Sequence, residues 1–274
     1  MRVRPLLAAS ILRILALLAV VSTVRVPEVS AQVTTDLLGK YQAKVFTGPA
    51  GDSIPYRMLS PANVVPGKSY PLVLFLHGAG ERGTDNKAQL VHAAAEFASA
   101  ERMNQYPAYV IFPQCPSEQR WVESAWDLPS GRGEFETTPS KPMKASLQLV
   151  DSLTRELPID PQRLYVAGLS MGGQGTWFAA ASEPHRFAAM LEVCGGGDPT
   201  WAKQYDGIPV WALHGQNDGV VPISRAREMI VALAQAGHAP EVRYTEYPGV
   251  GHNSWTQTFK RDDVFEWLFG QRKR

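Results

Sequence analysis

The stretch "LYVAGLSMGGQGTWFAA", residues 164–180, decides the fold. It begins as an apolar run typical of a buried strand, passes through Ser170 between Gly168 and Gly172, and continues as an alanine-rich helical pattern. Glycines on both sides of the serine indicate a tight turn, because residues without a β-carbon let a strand and a helix approach closely. The stretch therefore predicts a strand–turn–helix unit with Ser170 at the turn.

Apolar runs alternate with helical patterns along the rest of the chain. Strands are predicted at 70–78, 108–114, 163–170, 187–196, 208–215 and 241–249, and helices at 87–103, 144–157, 173–183, 222–237 and 255–269. Two extended segments around "GPAGD", residues 48–52, predict a β-hairpin before them. The alternation predicts an α/β fold, a mostly parallel sheet with helices on both faces, in one domain spanning residues 32–274.

The N-terminal residues have the pattern of a secretory signal peptide. Arginines precede an apolar run at 14–24, and the small-residue sequence "VSA" at 29–31 predicts cleavage before Gln32. The alternative is a membrane anchor, but the apolar run is shorter than the ~20 residues that span a bilayer. We therefore expect residues 1–31 to be removed and the mature protein to be exported, without a stable membrane anchor.

The charge composition argues against a nucleic-acid partner. The chain has 27 Lys and Arg against 26 Asp and Glu, and its formal net charge is +1. Nucleic-acid binding requires a concentrated basic face, and the terminal "QRKR" is the only basic block. The oligomeric state is not determined by the sequence.

Ser170 lies in a Gly168–Leu169–Ser170–Met171–Gly172 motif, which matches the G-x-S-x-G nucleophile elbow. A serine hydroxyl is a weak nucleophile and needs a neighbouring base. His252 follows the last predicted strand in the glycine-rich "GVGHNSW" and is the candidate base. His77 and His214 lie at strand ends before glycines, and we interpret them as hydrogen-bonding residues that fix loops.

The base in turn needs an acid that holds its tautomer and stabilises the imidazolium. Asp218, in "HGQNDGVVP", follows the strand between those that carry Ser170 and His252, and is the predicted acid. The chain order Ser, Asp, His is the order of the α/β-hydrolases. The rival carboxylates are Asp198, Asp206 and Glu246.

Backbone N–H groups are the candidate donors to an oxyanion. Met171 N–H lies at the start of the helix after the elbow, where anions are stabilised. The loop "HGAGERG" follows the strand expected beside the nucleophile strand, and Ala79 N–H, with Gly80 next, is the predicted second donor. The alternative is a glycine-rich turn without a role in catalysis.

These motifs resemble the serine α/β-hydrolase superfamily, and the resemblance covers residues 50–270. The longer strings that carry it are "LFLHGAGERGTDN", "FPQCP", "RLYVAGLSMGGQGTW" and "WALHGQNDGVVP". Within it the chain is similar to secreted phospholipase/carboxylesterase and dienelactone-hydrolase-like esterases, and to the predicted-peptidase or prolyl-oligopeptidase-like group. Feruloyl and acetylxylan esterases are neighbouring relatives. The resemblance implies ester hydrolysis, with plant-polysaccharide or small aryl esters as substrates.

Other functions on the same fold remain open. A serine peptidase or acyltransferase would use the same triad, and a non-catalytic carbohydrate-binding relative would usually lack one of its members. We expect no propeller domain of the kind found in prolyl oligopeptidases, which argues against the peptidase alternative. We expect no cofactor and no metal, because no metal-ligand spacing is present and the predicted chemistry needs neither.

The predicted substrate cleft has no large cap domain, because only residues 195–207 separate two strands where a lid is commonly inserted. The long segment 115–142 instead carries Trp121 and Trp126, and long loops in compact domains are usually functional. We expect both tryptophans to offer apolar or sugar-stacking surfaces to the substrate. The alternative is that they only pin the loop to the core.

The two cysteines, Cys115 and Cys194, both end predicted strands. In the usual hydrolase strand order, two strands lie between the strands that end at Cys115 and Cys194. The two cysteines are therefore three strand spacings of ~4.8 Å apart, about 14 Å in all. That distance exceeds the ~7 Å between Cα atoms that a disulfide tolerates. Export permits a disulfide, but the topology favours two free thiols.

Overall fold

A computed structural model describes residues 33–238 and 241–273, which form an eight-stranded sheet with helices on both faces. The predicted signal peptide, residues 1–31, lies outside the described residues. In the part of the chain that is described, no helix is both long and apolar enough to cross a membrane.

The strands are β1 Gln42–Thr47, β2 Ser53–Leu59, β3 Tyr70–Leu76, β4 Tyr109–Pro113, β5 Ile159–Leu169, β6 Ala189–Val193, β7 Val210–Gly215 and β8 Val242–Tyr247. The α-helices are α1 Thr35–Lys40, α2 Ala94–Phe97, α3 Ala100–Gln105, α4 Lys141–Glu156, α5 Met171–Ser182, α6 Ser224–Gln235, α7 Trp255–Thr258 and α8 Asp262–Gly270. Short 3₁₀ helices lie at Ala79–Glu81, Ala88–Leu90 and Pro199–Tyr205.

The strand order is β1-β2-β4-β3-β5-β6-β7-β8. Six neighbouring strands, β4, β3, β5, β6, β7 and β8, are parallel to one another. At one edge of the sheet, β1 and β2 pair antiparallel as the predicted hairpin. The predicted mostly parallel α/β sheet is therefore confirmed. Because parallel strands end at the same edge, the residues after β3, β5, β7 and β8 lie along one side of the molecule.

Two apolar cores lie on opposite faces of the sheet. Every residue of β3 is buried, as expected for a central strand that is covered on both sides. Helices α4 and α5 pack on one face and contribute residues such as Leu149 and Phe178 to its core. Helices α2 and α8 pack on the other face with Phe97 and Phe265.

Two of the predicted helices are broken. The segment 87–103 divides at Ala93, which has φ 62°, and again at Ser99, whose hydroxyl accepts from Arg102 N–H and starts α3. The segment 255–269 divides at Arg261, which is extended. The buried Arg102 side chain donates to the carbonyl oxygens of Phe259 and Lys260 at this second break, so carbonyls that a continuous helix would pair internally are satisfied.

The two cysteines are free and buried. Cys115 follows β4 and Cys194 follows β6, and β3 and β5 lie between those strands. The prediction that topology disfavours a disulfide is confirmed.

Candidate active site

Ser170 lies at the turn between β5 and α5 with φ 55° and ψ −122°. Positive φ is uncommon for a residue with a side chain, and it is found where the surrounding structure imposes it. Ser170 N–H donates to Val193 O at 2.9 Å, and Ser170 O accepts from Gln174 N–H at 3.1 Å. These bonds hold the turn from both sides and lift the hydroxyl to the edge of the sheet.

The glycines of the motif are required by close packing. A β-carbon at Gly168 would overlap the carbonyl oxygen of Gly172, and one at Gly172 would overlap the carbonyl oxygen of Leu76 in β3. At Gly173 a β-carbon would lie 2.9 Å from Val193 O. Helix α5 therefore packs directly against the strands on either side of β5, as the glycine pattern predicts.

His252 lies over Ser170, with its Nε2 2.8 Å from Ser170 Oγ. The other ring nitrogen, Nδ1, lies 2.7 Å from Asp218 Oδ2. The ring of Trp255 packs edge-on against the imidazole with 5.3 Å between centroids. The loop after β8 thus brings the imidazole to the serine and fixes it on two sides.

The Asp218 carboxylate is fully buried, accepts three hydrogen bonds and lies against a second imidazole. Val220 and Val221 N–H donate to Oδ1 at 2.8 and 2.9 Å, and the imidazoles of His252 and His214 lie 2.7 and 3.2 Å from Oδ2. Burial by itself would raise the pKa of Asp218, but these donors outweigh it and hold the pKa well below its usual range. As Asp218 is an acceptor, His252 Nδ1 carries the hydrogen, and Nε2 is free to accept the Ser170 hydroxyl proton.

The rival carboxylates are engaged elsewhere. Asp198 accepts from Phe135 N–H at 3.0 Å and from Thr200, and so fixes the loops beside β6. Glu246 forms a two-pronged ion pair with Arg227, and the exposed Asp206 lies 3.8 Å from the imidazole of His238. The structure therefore brings Ser170, His252 and Asp218 together and leaves the rivals outside.

The predicted oxyanion donors flank Ser170. Met171 is the first residue of α5, where N–H groups have no partner within the helix. The loop 78–80 follows β3, and a β-carbon at Gly78 would lie 3.5 Å from Ser170 Cβ. Ala79 begins a 3₁₀ helix, and Ala79 and Gly80 are at least partly exposed at the cleft. Both backbone segments thus adjoin Ser170, and their role as oxyanion donors stays a prediction.

Trp121 does not offer a surface to a substrate, contrary to the sequence prediction. Its side chain is fully buried, and its indole N–H donates to His77 O at 3.0 Å. The His77 ring is itself buried and accepts from Cys115 N–H at 2.9 Å through Nε2. Burial lowers the pKa of His77 to about 4, which keeps the ring neutral. Trp121 therefore anchors the long loop to the core next to the end of β3. This is the alternative that the sequence left open.

Trp126, in the same loop, is partly exposed. The Arg120 guanidinium lies over its ring at 4.3 Å from the centroid. Ala125, its neighbour, accepts from the Gln174 side chain in the first turns of α5. This places Trp126 near the first turns of α5, and its role as a wall of the substrate cleft stays a prediction.

Sequence reasoning missed the contacts that several residues make around the triad. His214 Nε2 lies 3.2 Å from Asp218 Oδ2 and 3.0 Å from Val221 O, so it fixes this loop as the sequence predicted, and Glu192 lies behind it in β6. Near the Gly78 loop, the Glu81 carboxylate lies 3.5 Å from the His92 imidazole. The His92 ring packs on Trp255, 5.1 Å between centroids. A carboxylate inside the apolar run "AMLEV" was a usable signal for Glu192. The position of His92 depends on the break in the predicted helix 87–103, and no pattern in the sequence indicates it.

One set of potential metal donors lies in the described part of the chain. Cys194, Asp218 and His252 present ligand atoms within 4.8 Å of one another. Asp218 and His252 are already bonded to each other, and burial raises the pKa of the Cys194 thiol well above its usual range. The arrangement suits a proton-transfer triad better than a cation.

Comparison with known proteins identifies the family of the chain. A family model for phospholipases and carboxylesterases matches residues 62–265, which include all three residues of the triad. The chain belongs to this family. Membership establishes the α/β-hydrolase fold, and the open, mostly parallel sheet is the one that this fold has.

Individual relatives include esterases and peptidases. A bifunctional acetylxylan esterase/xylanase of Neocallimastix patriciarum is 25% identical over 191 residues, 69% of this chain and 25% of that protein. A solved thermostable esterase is 39% identical with a TM-score of 0.80, covering 86% of this chain and 64% of that one. A puromycin-hydrolyzing peptidase of Mycobacterium tuberculosis is 18% identical with a TM-score of 0.62, covering 87% and 40%. The similarity to the peptidase shows the fold alone. The chain spans only part of the length of each of these three proteins.

Proposed function

We propose that the chain is a serine carboxylic-ester hydrolase that acts through Ser170, His252 and Asp218. The observation that carries the proposal is the continuous hydrogen-bonded line from Ser170 Oγ through His252 to Asp218 Oδ2, with bonds of 2.8 and 2.7 Å. Family membership and the esterases among its relatives support the same chemistry.

In the first half of the reaction Ser170 Oγ attacks the carbonyl carbon of the ester. His252 Nε2 accepts the hydroxyl proton, and the imidazolium that forms is stabilised by Asp218. The carbonyl oxygen becomes an oxyanion and accepts from the N–H groups of Met171 and Ala79, with Gly80 beside them. Each such donor contributes about 3–4 kcal/mol to the stability of the transition state.

Collapse of this intermediate breaks the ester bond. His252 donates its proton to the departing alkoxide, and the acyl group stays on Ser170 as an acyl-enzyme. Water then enters, His252 removes its proton, and the second tetrahedral intermediate releases the carboxylic acid and restores the Ser170 hydroxyl. The side chains present supply every proton transfer in this cycle.

The experiment is a comparison of Ser170→Ala with the wild-type protein on p-nitrophenyl acetate. We expect kcat to fall roughly 10⁴-fold or more, since the nucleophile is lost. Ser182→Ala, at the other end of α5, is the matched control and should keep full activity. Wild-type activity in Ser170→Ala would overturn the proposal, and labelling of Ser170 by a fluorophosphonate would support it.

The same assay separates ester from peptide hydrolysis. Acetyl p-nitroanilide is the amide counterpart of p-nitrophenyl acetate, and we expect only the ester to be turned over. Preferential cleavage of the amide would identify a peptidase instead.

We propose esters of plant polysaccharides or small aryl esters as substrates. Support comes from the partly exposed Trp126 near the first turns of α5 and from the acetylxylan esterase activity in the name of one relative. A panel of feruloyl, acetyl-sugar and p-nitrophenyl esters tests this, and a clear preference for long-chain lipid esters would contradict it.

We also propose that the protein is exported. The proposal rests on the signal-peptide pattern of residues 1–31. N-terminal sequencing of protein recovered outside the cytoplasm should give Gln32 as the first residue. An intact Met1 in the whole population would contradict it.

A further inference from the structure

Arg82 belongs to the "HGAGERG" loop, but the chemistry of the triad gives it no role. The residue is partly exposed. Its guanidinium donates through Nε to Ala79 O at 2.9 Å and through Nη1 to Gln119 O at 3.4 Å. Arg82 therefore bonds to the backbone of the predicted oxyanion loop and joins that loop to the long segment 115–142.

The bond to Ala79 O fixes the direction of the next N–H group. A peptide bond is planar and trans, so its C=O and N–H groups point in opposite directions. Because Arg82 holds Ala79 O, the N–H of Gly80 points away from the guanidinium. Ala79 and Gly80 are the first residues of a 3₁₀ turn, where N–H groups have no partner within the turn. Arg82 thus orients a backbone donor at the exposed Gly80.

The preceding peptide is held in the same way. His77 Nε2 accepts from Cys115 N–H at 2.9 Å, so Nδ1 carries the hydrogen and donates to Gly78 O at 2.7 Å. The N–H of Ala79 belongs to the same peptide as Gly78 O and therefore points away from the imidazole. His77 and Arg82 thus hold consecutive carbonyl groups and orient both predicted donors.

The backbone on either side of Arg82 is anchored to the end of β4. Gly83 N–H donates to Cys115 O at 2.9 Å. The fully buried side chain of Gln114 donates to Glu81 O at 3.2 Å. Since the residues before and after Arg82 are held, the guanidinium can fix the turn in place instead of moving with it.

The orientation of this turn matters because it adjoins Ser170. A β-carbon at Gly78 would lie 3.5 Å from Ser170 Cβ. An oxyanion is stabilised by donors about 2.7–3.1 Å from the position that its oxygen takes in the transition state. A small rotation of the 79–80 peptide would move an N–H group out of that range.

We propose that Arg82 is a positioning residue that holds the predicted oxyanion donors, Ala79 and Gly80, in the orientation that the transition state requires. Arg82 acts through the backbone and is not itself a catalytic residue. Its effect falls on the transition state and not on substrate binding, because the oxyanion forms only when Ser170 attacks. This inference rests on the proposed ester hydrolysis.

Arg82→Gln and Arg82→Met form a matched pair of variants. Glutamine has an amide N–H at the position of the arginine Nε, whereas methionine has a methyl group there, and both lack the arm that reaches Gln119 O. With p-nitrophenyl acetate we expect kcat to fall roughly 10–100-fold in Arg82→Met with KM unchanged, somewhat less than the loss of a whole oxyanion donor. Arg82→Gln should keep most of kcat, because it retains a donor to Ala79 O.

A trifluoromethyl ketone measures the oxyanion donors directly. Ser170 Oγ bonds to its carbonyl carbon, the hydroxyl proton passes to His252, and the carbonyl oxygen becomes an oxyanion like that of the transition state. We expect the affinity for this ketone to fall by the same factor as kcat in Arg82→Met and to recover in Arg82→Gln. Titration to completion with a fluorophosphonate gives the concentration of reactive enzyme, so that a loss of folded protein is not counted as a loss of affinity.

Arg186→Met is the control. Arg186 also donates to a backbone carbonyl, Leu147 O at 2.8 Å, but it lies beyond the C-terminal end of α5. Its replacement should change neither kcat per reactive site nor the affinity for the ketone.

Unchanged kcat and unchanged ketone affinity in Arg82→Met would overturn the inference. Equal losses in Arg82→Met and Arg82→Gln would also overturn it, because they would show that the charge or the bond to Gln119 O matters and the bond to Ala79 O does not. A loss accounted for by fewer reactive sites would indicate a role in stability only, with the same consequence. If Arg82→Met does not fold, Arg82→Ala decides by the same measurements. Failure of the proposed function is distinguishable, since the wild-type protein would then not hydrolyse the ester.

Discussion

Gly172 of α5 lies so close to the carbonyl oxygen of Leu76 that a β-carbon at Gly172 would overlap it. Leu76 is the last residue of β3, immediately before the loop that carries Ala79. This one contact therefore sets the distance between helix α5, which follows Ser170, and the strand that precedes the predicted second oxyanion donor.

Gly172→Ala should destabilise the fold and impair catalysis together. The new methyl group meets backbone atoms, which move less than side chains, so we expect a loss of about 2–3 kcal/mol of unfolding free energy. Urea denaturation measures it. Gly270→Ala, where a β-carbon would meet nothing within 4 Å, is the matched control and should be nearly neutral. Equal stability of the two variants would contradict the packing argument.

Asp218→Asn should lower kcat by roughly 10⁴-fold with little change in KM, because an amide at this position no longer holds the His252 tautomer that accepts the serine proton. Steady-state kinetics on p-nitrophenyl acetate check this. Asp206→Asn is the control, since Asp206 is exposed and remote from Ser170. A loss of less than tenfold in Asp218→Asn would show that another acid serves His252.

The two tryptophans of the long loop should respond differently to alanine. Trp121→Ala removes a fully buried indole and its bond to His77 O, so we expect a loss of about 3–5 kcal/mol in stability. Trp126→Ala should keep the fold and raise KM for bulky aryl esters. Thermal denaturation and kinetics on acetyl and feruloyl esters separate the two outcomes. Unaltered kinetics in a folded Trp126→Ala would remove Trp126 from the cleft.

Glu192 should make stability depend on pH near neutrality. Burial raises its pKa to about 7 from 4.5, so the folded state binds a proton that the unfolded state releases. The stabilisation is fully present below pH 4.5 and is lost as the pH rises through about 7. Urea denaturation at pH 5, 6, 7 and 8 should show this decline in the wild-type protein. Glu192→Gln should flatten it, and an unchanged slope would contradict the assignment.

Both thiols should be unreactive in the native protein. Burial raises the pKa of Cys115 to about 12 and that of Cys194 well above its usual range, so little thiolate is present at pH 8. A thiol reagent should react slowly with native protein and find two thiols after denaturation without reductant. Fewer than two would show that a disulfide forms.

The sequence by itself determined the framework and the candidate triad. The alternation of apolar and helical segments predicts the parallel sheet, because burial on both faces requires continuous apolar strands. The glycines around Ser170 predict the strained turn, and Asp218 and His252 could be selected because each follows a strand of that sheet. Local patterns suffice here, since a parallel sheet brings its strand ends to one edge whatever the side chains are.

Only the tertiary structure decided which groups surround the triad. Trp121 and Trp126 look alike in the sequence, but one is buried against His77 and the other is partly exposed. Glu192 and His214 are 22 positions apart and share one face of the sheet only because β6 and β7 are neighbours with a particular register. Burial and register depend on contacts between distant segments, so no single stretch of sequence records them.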